Sequence, residues 1–191
     1  RKHSNDKYYL QLDIRKYYYN INHNILRNFI SKIIKDERIV NLIMLFVDTV
    51  KGIGLFVGNV LSQLFGLIYL SPWDHFVKRV LKIKHYIRYV DDFVLVGLEK
   101  SEAHILKSKI ESFLKDNLNL ELSKFRIAKI KQGCNFVGFR TWKRVKFIRK
   151  HTLHNFSKAV KLQKEASIIS ILGHAKHSSS HKYLISKIGA A

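Results

Sequence analysis

The adjacent aspartates Asp91 and Asp92 are the feature that most restricts how this chain can fold. Residues 85–88 before them and residues 93–96 after them are rich in strand formers, so the two acids stand at a predicted tight turn between two strands. Two carboxylates so close raise each other's pKa unless a positive charge stands beside them. A divalent metal ion supplies such a charge and keeps the carboxylates ionised. The tetrapeptide Tyr89-Val90-Asp91-Asp92 therefore predicts metal-dependent chemistry.

The composition indicates a folded chain with an anionic partner. The 191 residues are 47% hydrophobic and 12% aromatic, which is enough apolar material for a packed core and argues against disorder. Lys and Arg total 35 against 14 Asp and Glu, for a formal net charge of +21. Because the basic residues are spread along the whole chain, nucleic acid is favoured over a membrane as the partner. A solvated basic surface without such a partner is the alternative.

The sequence also argues against several classes of protein. Cys134 is the single cysteine, which excludes an internal disulfide framework and a cysteine-based zinc site. The chain contains no apolar run of the roughly 18 residues that a membrane span needs, and its first residues do not resemble a signal peptide. We therefore expect an intracellular protein without a membrane partner. The chain begins with Arg1 rather than Met, which suggests a fragment or a processed chain.

Hydrophobic periodicity divides the chain into a mixed core and a basic helical end. Strands are predicted at residues 8–14, 85–97 (as a hairpin), near 120–122, 126–130 and 136–142. Helices are predicted over residues 21–46, 42–50, 61–81 with a break near Pro72, and about 101–117. Asn22 or Asn24 is the expected cap of the first helix, and Ser101 that of the last. A composition shift near residue 144 predicts an α+β core of residues 1–144 and a helical module of residues 145–191.

Asp13 supplies a third carboxylate if its strand lies beside the hairpin that carries Asp91 and Asp92. It stands at the end of a predicted apolar strand, so the three acids would then converge on one edge of a sheet. Ligands that are all oxygen suit Mg²⁺ or Mn²⁺, which bind substrate phosphates to complete their shell. Two such ions can activate a 3′-hydroxyl and stabilise a leaving pyrophosphate. An ordinary strand-end aspartate is the alternative for Asp13.

Four sequence blocks carry a resemblance to a known family. Residues 13–23 (DIRKYYYNINH) look like the first catalytic block of reverse transcriptases, and residues 89–92 (YVDD) look like their Tyr-x-Asp-Asp block. Residues 135–139 (NFVGF) are similar to the primer-grip hairpin, and residues 170–177 (SILGHAKH) resemble the start of the thumb helix. The resemblance implies an RNA-directed DNA polymerase of α+β class. Its right-hand palm would be an antiparallel sheet backed by helices, with partial fingers at about residues 23–60 and a small helical thumb.

Residues 57–63 narrow the resemblance to one subgroup. Most bacterial members, such as retron and group II intron enzymes, carry Gln-Gly-x-x-x-Ser-Pro there, whereas this chain reads Val-Gly-x-x-x-Ser-Gln from Val57 to Gln63. That pattern looks like the enzymes of diversity-generating retroelements, which copy a template RNA with many errors opposite adenine during mutagenic retrohoming. Those enzymes work with a small basic accessory protein. The alternatives are a retron-type or intron-type enzyme and a catalytically impaired, nucleic-acid-binding remnant.

The resemblance implies a role for each matching residue of the catalytic blocks. Asp13 and Asp91 would hold two Mg²⁺ ions, for which Mn²⁺ can substitute, while Asp92 assists and the carbonyl of Ile14 supplies a further oxygen. Tyr18 would lie under the sugar, where its ring excludes a ribose 2′-hydroxyl; core packing is the alternative role. For Lys124, which would approach the phosphates, an ordinary surface lysine is the alternative. The residues expected near the incoming deoxynucleoside triphosphate are Tyr18, Val57, Gly58, Ser62, Gln63 and Lys124.

Basic and aromatic residues of the C-terminal part are expected to bind the template RNA and the cDNA. Each phosphate that a Lys or Arg neutralises releases counterions, so such binding is salt-sensitive. A solvated charged face is the alternative. The spacing of His174 and His177 also suits zinc, but no cysteine or clustered acid completes four ligands. The residues expected to bind nucleic acid are Phe136, Gly138, Phe139, Lys143, Arg144, Lys146, Arg149, Lys150, His174 and Lys176.

The chain departs from the family pattern in three respects. Family members carry a long finger segment upstream of the first catalytic aspartate, whereas this sequence begins only about a dozen residues before Asp13. We therefore expect the chain alone to bind template and nucleotide poorly. Phe56 stands where a proline is common, and Leu67 stands where an asparagine is common.

The resemblance further implies a cytoplasmic protein encoded by a bacterium or a phage.

Overall fold

A computed structural model describes residues 6–188 of the chain. The described residues divide into two compact units: the first comprises residues 8–128, and the second comprises residues 129–188 with residues 6–7. The outer ends of the two predicted domains, residues 1–5 and 189–191, lie outside the described residues. Within the described range, no helix is long and apolar enough to cross a lipid bilayer.

The first unit is built on a four-stranded sheet with the strand order β2-β3-β1-β4. Strand β3 pairs antiparallel with both β1 and β2, so it lies inside the sheet. Its Phe93 and Leu95 and the Leu10 and Leu12 of β1 are fully buried, which makes the two inner strands the centre of the core. The strands are β1 (Tyr8–Ile14), β2 (Tyr86–Tyr89), β3 (Asp92–Leu98) and β4 (Leu122–Lys129).

Helices pack against this sheet. In the longest of them the buried positions Ala103, Leu106, Ile110, Leu114 and Leu118 recur every three or four residues, as expected for an amphipathic helix. An antiparallel sheet backed by helices confirms the predicted α+β fold class. The helices are α1 (His23–Ile33), α2 (Glu37–Val47), α3 (Val60–Tyr69), α4 (Ser71–His75) and α5 (Lys100–Leu118), and a π-helical turn over Phe76–Val80 follows α4.

An aromatic cluster lies at the centre of the first unit. The fully buried indole of Trp73, on α4, lies 5.0 Å from the Phe93 ring of β3 between centroids. The rings of Phe76, Tyr86 and Phe113 surround the same indole at 6.1–6.2 Å. Large aromatic side chains contribute much of the apolar area that a core buries. The cluster therefore anchors α4 beneath the hairpin that carries the paired aspartates.

The helical run predicted over residues 21–46 is two helices in the structure. Helix α1 ends at Ile33, Ile34 has an extended backbone, and α2 begins after Asp36, whose carboxylate accepts a hydrogen bond from the Arg38 N–H at 2.9 Å. A side chain that satisfies a backbone N–H in this way favours a new helix start over continuation of the old one. Asn22 caps α1, which is one of the two residues that the sequence suggested.

Ser101 is not the cap of α5, so that prediction was wrong. The helix begins at Lys100 and its N-cap is Glu99, whose N–H donates to the Glu102 carboxylate at 3.1 Å in a reciprocal capping box. A glutamate replaces the usual Ser or Thr in this motif. The separate strands predicted near residues 120–122 and at 126–130 form the single strand β4.

The loop between α2 and α3 is fastened to the start of α1. The buried His23 has one ring nitrogen 2.8 Å from the Asp48 carboxylate and the other 2.7 Å from the Gly54 carbonyl oxygen. The Leu55 N–H donates to the Tyr18 carbonyl at 2.7 Å. Gly54 has a φ of +97°, and a Cβ there would lie 3.0 Å from a backbone oxygen, so this close approach requires glycine. These contacts hold the loop that carries residues 57–59.

The second unit combines a small sheet with three helices. The strand predicted over residues 136–142 is instead a hairpin, because Val137 and Gly138 both have positive φ and reverse the chain. A strand also precedes the helices that the sequence predicted from residue 145 onward. The strands are β5 (Cys134–Phe136), β6 (Phe139–Thr141) and β7 (Lys146–Ile148), antiparallel in that order, and the helices are α6 (Lys150–Lys161), α7 (Glu165–Ala175) and α8 (His181–Ile188). A separate core contains Ile148, Phe156 and Leu184.

Candidate active site

The register of the sheet brings the predicted catalytic aspartates to one end of it. Asp13, near the end of β1, is paired with Asp92, the first residue of β3. Directly opposed residues of an antiparallel pair lie on the same face of the sheet. Asp91 lies in the turn between β2 and β3, and its carbonyl accepts a hydrogen bond from the Ile14 N–H at 3.3 Å. The predicted pairing of the Asp13 strand with the hairpin is thus confirmed.

The three aspartates have different surroundings. The Asp13 carboxylate accepts a hydrogen bond from the Ser123 hydroxyl of β4. The Asp92 carboxylate accepts one from the Gln11 amide at 3.1 Å. Burial raises the pKa of Asp91, and the charge of Asp13 raises that pKa further. Asp91 is therefore a carboxylate that an added cation would stabilise in its ionised form.

The donor atoms at this end of the sheet suit Mg²⁺ held by few protein ligands. Within residues 6–188, no group of three or more His, Cys, Asp and Glu side chains is arranged to hold a metal ion, so the three aspartates do not surround one point. The charge of Asp13 nevertheless acts on Asp91, which indicates that these two carboxylates are near each other. Mg²⁺ at phosphate-transfer sites is commonly held by one or two carboxylates, with waters and substrate phosphates completing the shell. The pair fits that pattern.

A cavity of about 380 Å³ lies beside Asp91. Its volume is within the range of about 300–1,000 Å³ that small-molecule sites occupy. Five of the six residues predicted to lie near the nucleotide line it, whereas the sixth, Lys124, is exposed on β4 and does not. The lining residues are Tyr18, Val57, Gly58, Asn59, Ser62, Gln63, Leu67, Tyr89, Val90 and Asp91.

The start of α3 forms one wall of this cavity. Gly58 has a φ of +105°, a conformation that turns the loop into the helix and is strained for other residues. The Asn59 side chain then caps α3 by accepting a hydrogen bond from the Leu61 N–H at 2.9 Å. As a result Ser62 lies buried at the cavity floor, while Val57 remains about half exposed.

Tyr18 forms another wall and is held there by its neighbours. Its ring lies 5.2 Å from that of Tyr17 between centroids, and a Cβ added to Gly66 of α3 would lie 3.0 Å from it. Burial, followed by the charge of Asp91, raises the pKa of the Tyr18 hydroxyl. Tyr17 is 2% exposed and donates a hydrogen bond to the Gly66 carbonyl at 2.5 Å, while Tyr19 is 64% exposed. Tyr17 is thus a core residue, whereas Tyr18 packs against the core and also lines the cavity.

The second unit brings four of the residues predicted to bind nucleic acid into contact. The Phe139 ring stacks on the His174 imidazole with centroids 4.4 Å apart, and the Lys146 ammonium lies 4.9 Å from the centroid of the same phenyl ring. Gly138 approaches so closely that a Cβ there would lie 2.8 Å from the His174 ring. Phe136 is half-buried in β5, and the remaining predicted residues, all exposed, are Lys143, Arg144, Arg149, Lys150 and Lys176.

Two residues that contact the predicted catalytic aspartates were missed by the sequence-based prediction. Gln11 stands two positions before Asp13 and therefore lies on the same face of β1, which is a signal that the strand pattern contained. Ser123 is 110 positions from Asp13 in the chain. No local sequence pattern connects Ser123 with Asp13, because they meet only when β4 lies beside β1 in the assembled sheet.

Solved structures of polymerase domains share this fold. The structure of telomerase from Candida albicans with a fragment of telomeric RNA has a TM-score of 0.60 and 15% identity, over 83% of this chain and 36% of that chain. Apo telomerase from Candida tropicalis has a TM-score of 0.60 and 17% identity, over 77% of this chain and 33% of that chain. The foamy viral protease-reverse transcriptase with an RNA/DNA hybrid has a TM-score of 0.55 and 19% identity, over 99% of this chain and 25% of that chain.

The class that this fold defines is a reverse-transcriptase-like polymerase domain, and the sequence is consistent with it. The chain belongs to the reverse transcriptase (RNA-dependent DNA polymerase) family, whose sequence model matches residues 1–141. It spans between a quarter and about a third of the length of the three proteins named above. No curated protein sequence matches the chain.

Proposed function

We propose that the chain is the polymerase domain of an RNA-directed DNA polymerase that makes cDNA from an RNA template. The observation that carries the proposal is that Tyr18, Val57 and Asp91 line the same cavity. It joins the predicted nucleotide-binding residues to a carboxylate whose pKa is raised by burial and by the charge of Asp13. Family membership and the similar fold of a reverse transcriptase whose structure holds an RNA/DNA hybrid support the same function.

The carboxylates hold the metal ions in the proposed reaction. Asp13 and Asp91 would hold two Mg²⁺ ions, with Asp92 assisting and the Ile14 carbonyl supplying a further oxygen. When bound there, Mg²⁺, or Mn²⁺ in its place, would supply activation of the primer 3′-hydroxyl and stabilisation of the leaving pyrophosphate. Ser123 keeps the Asp13 carboxylate in one orientation through its hydrogen bond. A fixed carboxylate does not have to be ordered again for each nucleotide added.

The cavity residues bind the incoming nucleotide in this proposal. Tyr18 lies under the sugar, and Gly58 lets the backbone approach the nucleotide because it has no side chain. Ser62 and Gln63, in the first turn of α3, are the polar groups of the opposite wall. Lys124 lies outside the cavity, and we propose that it reaches the triphosphate from β4.

The second unit supplies the contacts to template and cDNA in this proposal. Glu165 is the only acidic residue in residues 129–191, so this part of the chain is strongly basic. The contact of Phe139, Lys146 and His174 joins aromatic and cationic groups on one surface, which suits nucleic acid. Exposed lysines and arginines then neutralise backbone phosphates. We further propose that residues 1–144 act as palm with partial fingers at about 23–60, and residues 145–191 as thumb.

We propose that the enzyme belongs to a diversity-generating retroelement of a bacterium or phage and acts in the cytoplasm with a small basic accessory protein. The sequence Val-Gly-x-x-x-Ser-Gln from Val57 to Gln63 supports this subtype, and both residues line the cavity. An aliphatic residue in place of glutamine removes a polar contact near the nascent base pair, so that right and wrong pairs differ less in binding. A retron-type or intron-type enzyme is the second candidate, and a catalytically impaired, nucleic-acid-binding remnant is the third.

Replacing Val57 with glutamine is expected to lower misincorporation opposite template adenine by roughly 5- to 10-fold, the factor that a hydrogen bond of about 1–1.4 kcal/mol represents. Sequencing of cDNA made on a defined RNA template measures the error rate. Val60→Gln is the matched control, because Val60 is 78% exposed and does not line the cavity. An unchanged error rate in Val57→Gln would remove the basis for the subtype.

The proposed function is tested by extension of a DNA primer on an RNA template. We expect extension that requires Mg²⁺ or Mn²⁺ and stops when a chelator is added. A second reaction with a DNA template of the same sequence measures the preference of the enzyme for an RNA template. The protein in its natural form, with any segment that precedes residue 1 included, is the proper form for the assay. Failure of that protein to extend the primer in the presence of Mg²⁺ would contradict the enzymatic function and favour a nucleic-acid-binding role.

A further inference from the structure

The turn that carries Asp91 contains a strained residue. Val90 has a φ of +55°, in the left-handed region of the backbone. For a β-branched side chain this conformation is rare and strained, since its Cβ substituents crowd the neighbouring carbonyl. A residue in such a conformation keeps it only when contacts from outside the turn hold it there.

The side chain of Arg88 makes such a contact. Its Nη1 donates a hydrogen bond to the Val90 carbonyl at 3.1 Å. The same guanidinium donates through Nε to Oδ1 of Asp74 at 2.9 Å and through Nη2 to Oδ2 at 2.5 Å. The Arg88 side chain is only 13% exposed, so water competes little for these bonds. A planar guanidinium bound at both carboxylate oxygens has one orientation, and the nitrogen that reaches Val90 is therefore fixed.

Asp74 is in turn tied to the core of the first unit. It lies on α4, next to the fully buried Trp73. The Tyr86 hydroxyl donates to Oδ1 of Asp74 at 2.8 Å and accepts from the Trp73 indole N–H at 2.6 Å. Burial raises the pKa of Tyr86, followed by its hydrogen bond to the Asp74 carboxylate, so this hydroxyl stays protonated and donates at every physiological pH. Hydrogen bonds therefore run without a break from α4 to the turn.

We infer that Arg88 and Asp74 form a positioning pair that sets the location of Asp91 by holding the Val90 carbonyl in the strained turn. This inference rests on the proposed function for its consequence, since Asp91 is the proposed metal ligand. Neither residue lines the cavity, so the pair acts on the reaction through the turn rather than by touching the nucleotide. It explains how a turn with an unfavourable valine can present a carboxylate reproducibly.

The first test is the substitution Arg88→Lys, which keeps the positive charge but cannot bind both Asp74 oxygens and Val90 together. We expect the Mg²⁺ concentration for half-maximal extension to rise and the maximal rate to fall by about 10-fold, because small displacements of reacting groups have effects up to about 100-fold. The apparent KM for the nucleotide should change little. Arg38→Lys is the matched control: Arg38 binds both oxygens of Asp36 with the same geometry but is solvent-exposed and remote from the turn in sequence.

A second measurement does not depend on polymerase activity. The Ile14 N–H donates to the Asp91 carbonyl, so its hydrogen exchange reports on the position of the turn. We expect exchange at Ile14 to speed up at least several-fold in Arg88→Lys and in Asp74→Asn, and to stay unchanged in Arg38→Lys. Should Arg88→Lys fail to fold, Asp74→Asn provides the same readout, because asparagine keeps the shape of the acceptor and removes its charge.

A third variant separates positioning from general destabilisation. Val90→Gly removes the strain of the positive φ, so the turn should depend less on Arg88. Adding Arg88→Lys to Val90→Gly should therefore reduce activity, and the protection of the Ile14 N–H from exchange, by less than it does in the native sequence. Equal costs in both backgrounds would assign Arg88 a merely structural role. Native Mg²⁺ dependence together with native Ile14 exchange in Arg88→Lys would overturn the inference. If the unaltered protein does not extend a primer, the proposed function fails, while the exchange data still decide whether the pair holds the turn.

Discussion

Replacing Asp91 with asparagine is expected to reduce primer extension by roughly 1,000-fold or more and, at the same time, to make the metal-free protein more stable at pH 7. The loss of rate follows because the metal ion that Asp91 is proposed to hold would stabilise developing charge in the transition state, and a factor of 1,000 represents about 4 kcal/mol. Replacing an ordinary core residue lowers the stability of the fold, whereas replacing Asp91 is expected to raise it. The two measurements together thus separate a catalytic role from a structural one.

The gain in stability follows from the titration of Asp91. Burial, followed by the charge of Asp13, raises its pKa above the ordinary value of 3.8. Between those two pKa values the folded state binds more protons than the unfolded state, so the free energy of unfolding falls as the pH rises through this window. The free energy of unfolding is therefore lower above this window, and asparagine, which has no charge, avoids that loss. We therefore expect Asp91→Asn to melt at a higher temperature than the native protein at pH 7 without metal, as measured by thermal unfolding.

Two comparisons control this prediction. Well below pH 3.8 the carboxyl is protonated in both states, so the native protein and Asp91→Asn should melt at similar temperatures. Added Mg²⁺ should stabilise the native protein and have little effect on the variant, because a ligand stabilises only the state that binds it. A lower melting temperature for Asp91→Asn at pH 7 without metal would show that Asp91 is held by contacts that favour its charged form.

Replacing Tyr18 with alanine is expected to raise the incorporation of ribonucleotides, relative to deoxynucleotides, on the order of 100-fold. Its ring lines the cavity close enough to Asp91 for that charge to raise its pKa. Removing the ring opens the space that a 2′-hydroxyl needs. The ratio of kcat/KM for a ribonucleotide to that for the matching deoxynucleotide measures the effect.

The three consecutive tyrosines provide their own controls. Tyr18→Phe keeps the ring and should keep the discrimination against ribonucleotides. Tyr19→Ala changes an exposed side chain that does not line the cavity and should leave discrimination unchanged. Tyr17→Ala removes a buried ring and should instead lower the melting temperature, consistent with a loss of about 3–5 kcal/mol for a large buried aromatic. If Tyr18→Ala still discriminates against ribonucleotides as the native protein does, Tyr18 has only a packing role.

Local patterns in the sequence predicted the elements that carry the site. Strand formers flank both Asp13 and the pair Asp91–Asp92, and these segments are the antiparallel strands β1, β2 and β3. Hydrophobic periodicity predicted a helix from residue 61, and α3 begins one residue earlier, at Val60. Such elements are predictable because period-2 and period-3.6 patterns and turn residues act within a few positions.

Other features were outside the reach of local patterns. The break between α1 and α2 and the glutamate cap of α5 depend on which side chain reaches a backbone N–H, and several residues compete at each position. The position of Lys124 outside the cavity depends on the path of β4 past β1. Likewise, three neighbouring tyrosines are equivalent in sequence, and only the packing around Gly66 separates buried Tyr17 from Tyr18 in the cavity wall.

By itself the sequence determined the chemistry that this chain can support: paired acids at a strand turn, a third acid at the end of another predicted strand, and a strongly basic C-terminal part. The tertiary structure decided which side chains contact one another and which are buried. It set Ser123 against Asp13, raised the pKa of Asp91 by burial, and tied the strained turn at Val90 to α4 through Arg88 and Asp74. The physical reason is that residue type and spacing limit which atoms can bond, whereas burial and contacts between distant segments exist only once the sheet and helices have packed.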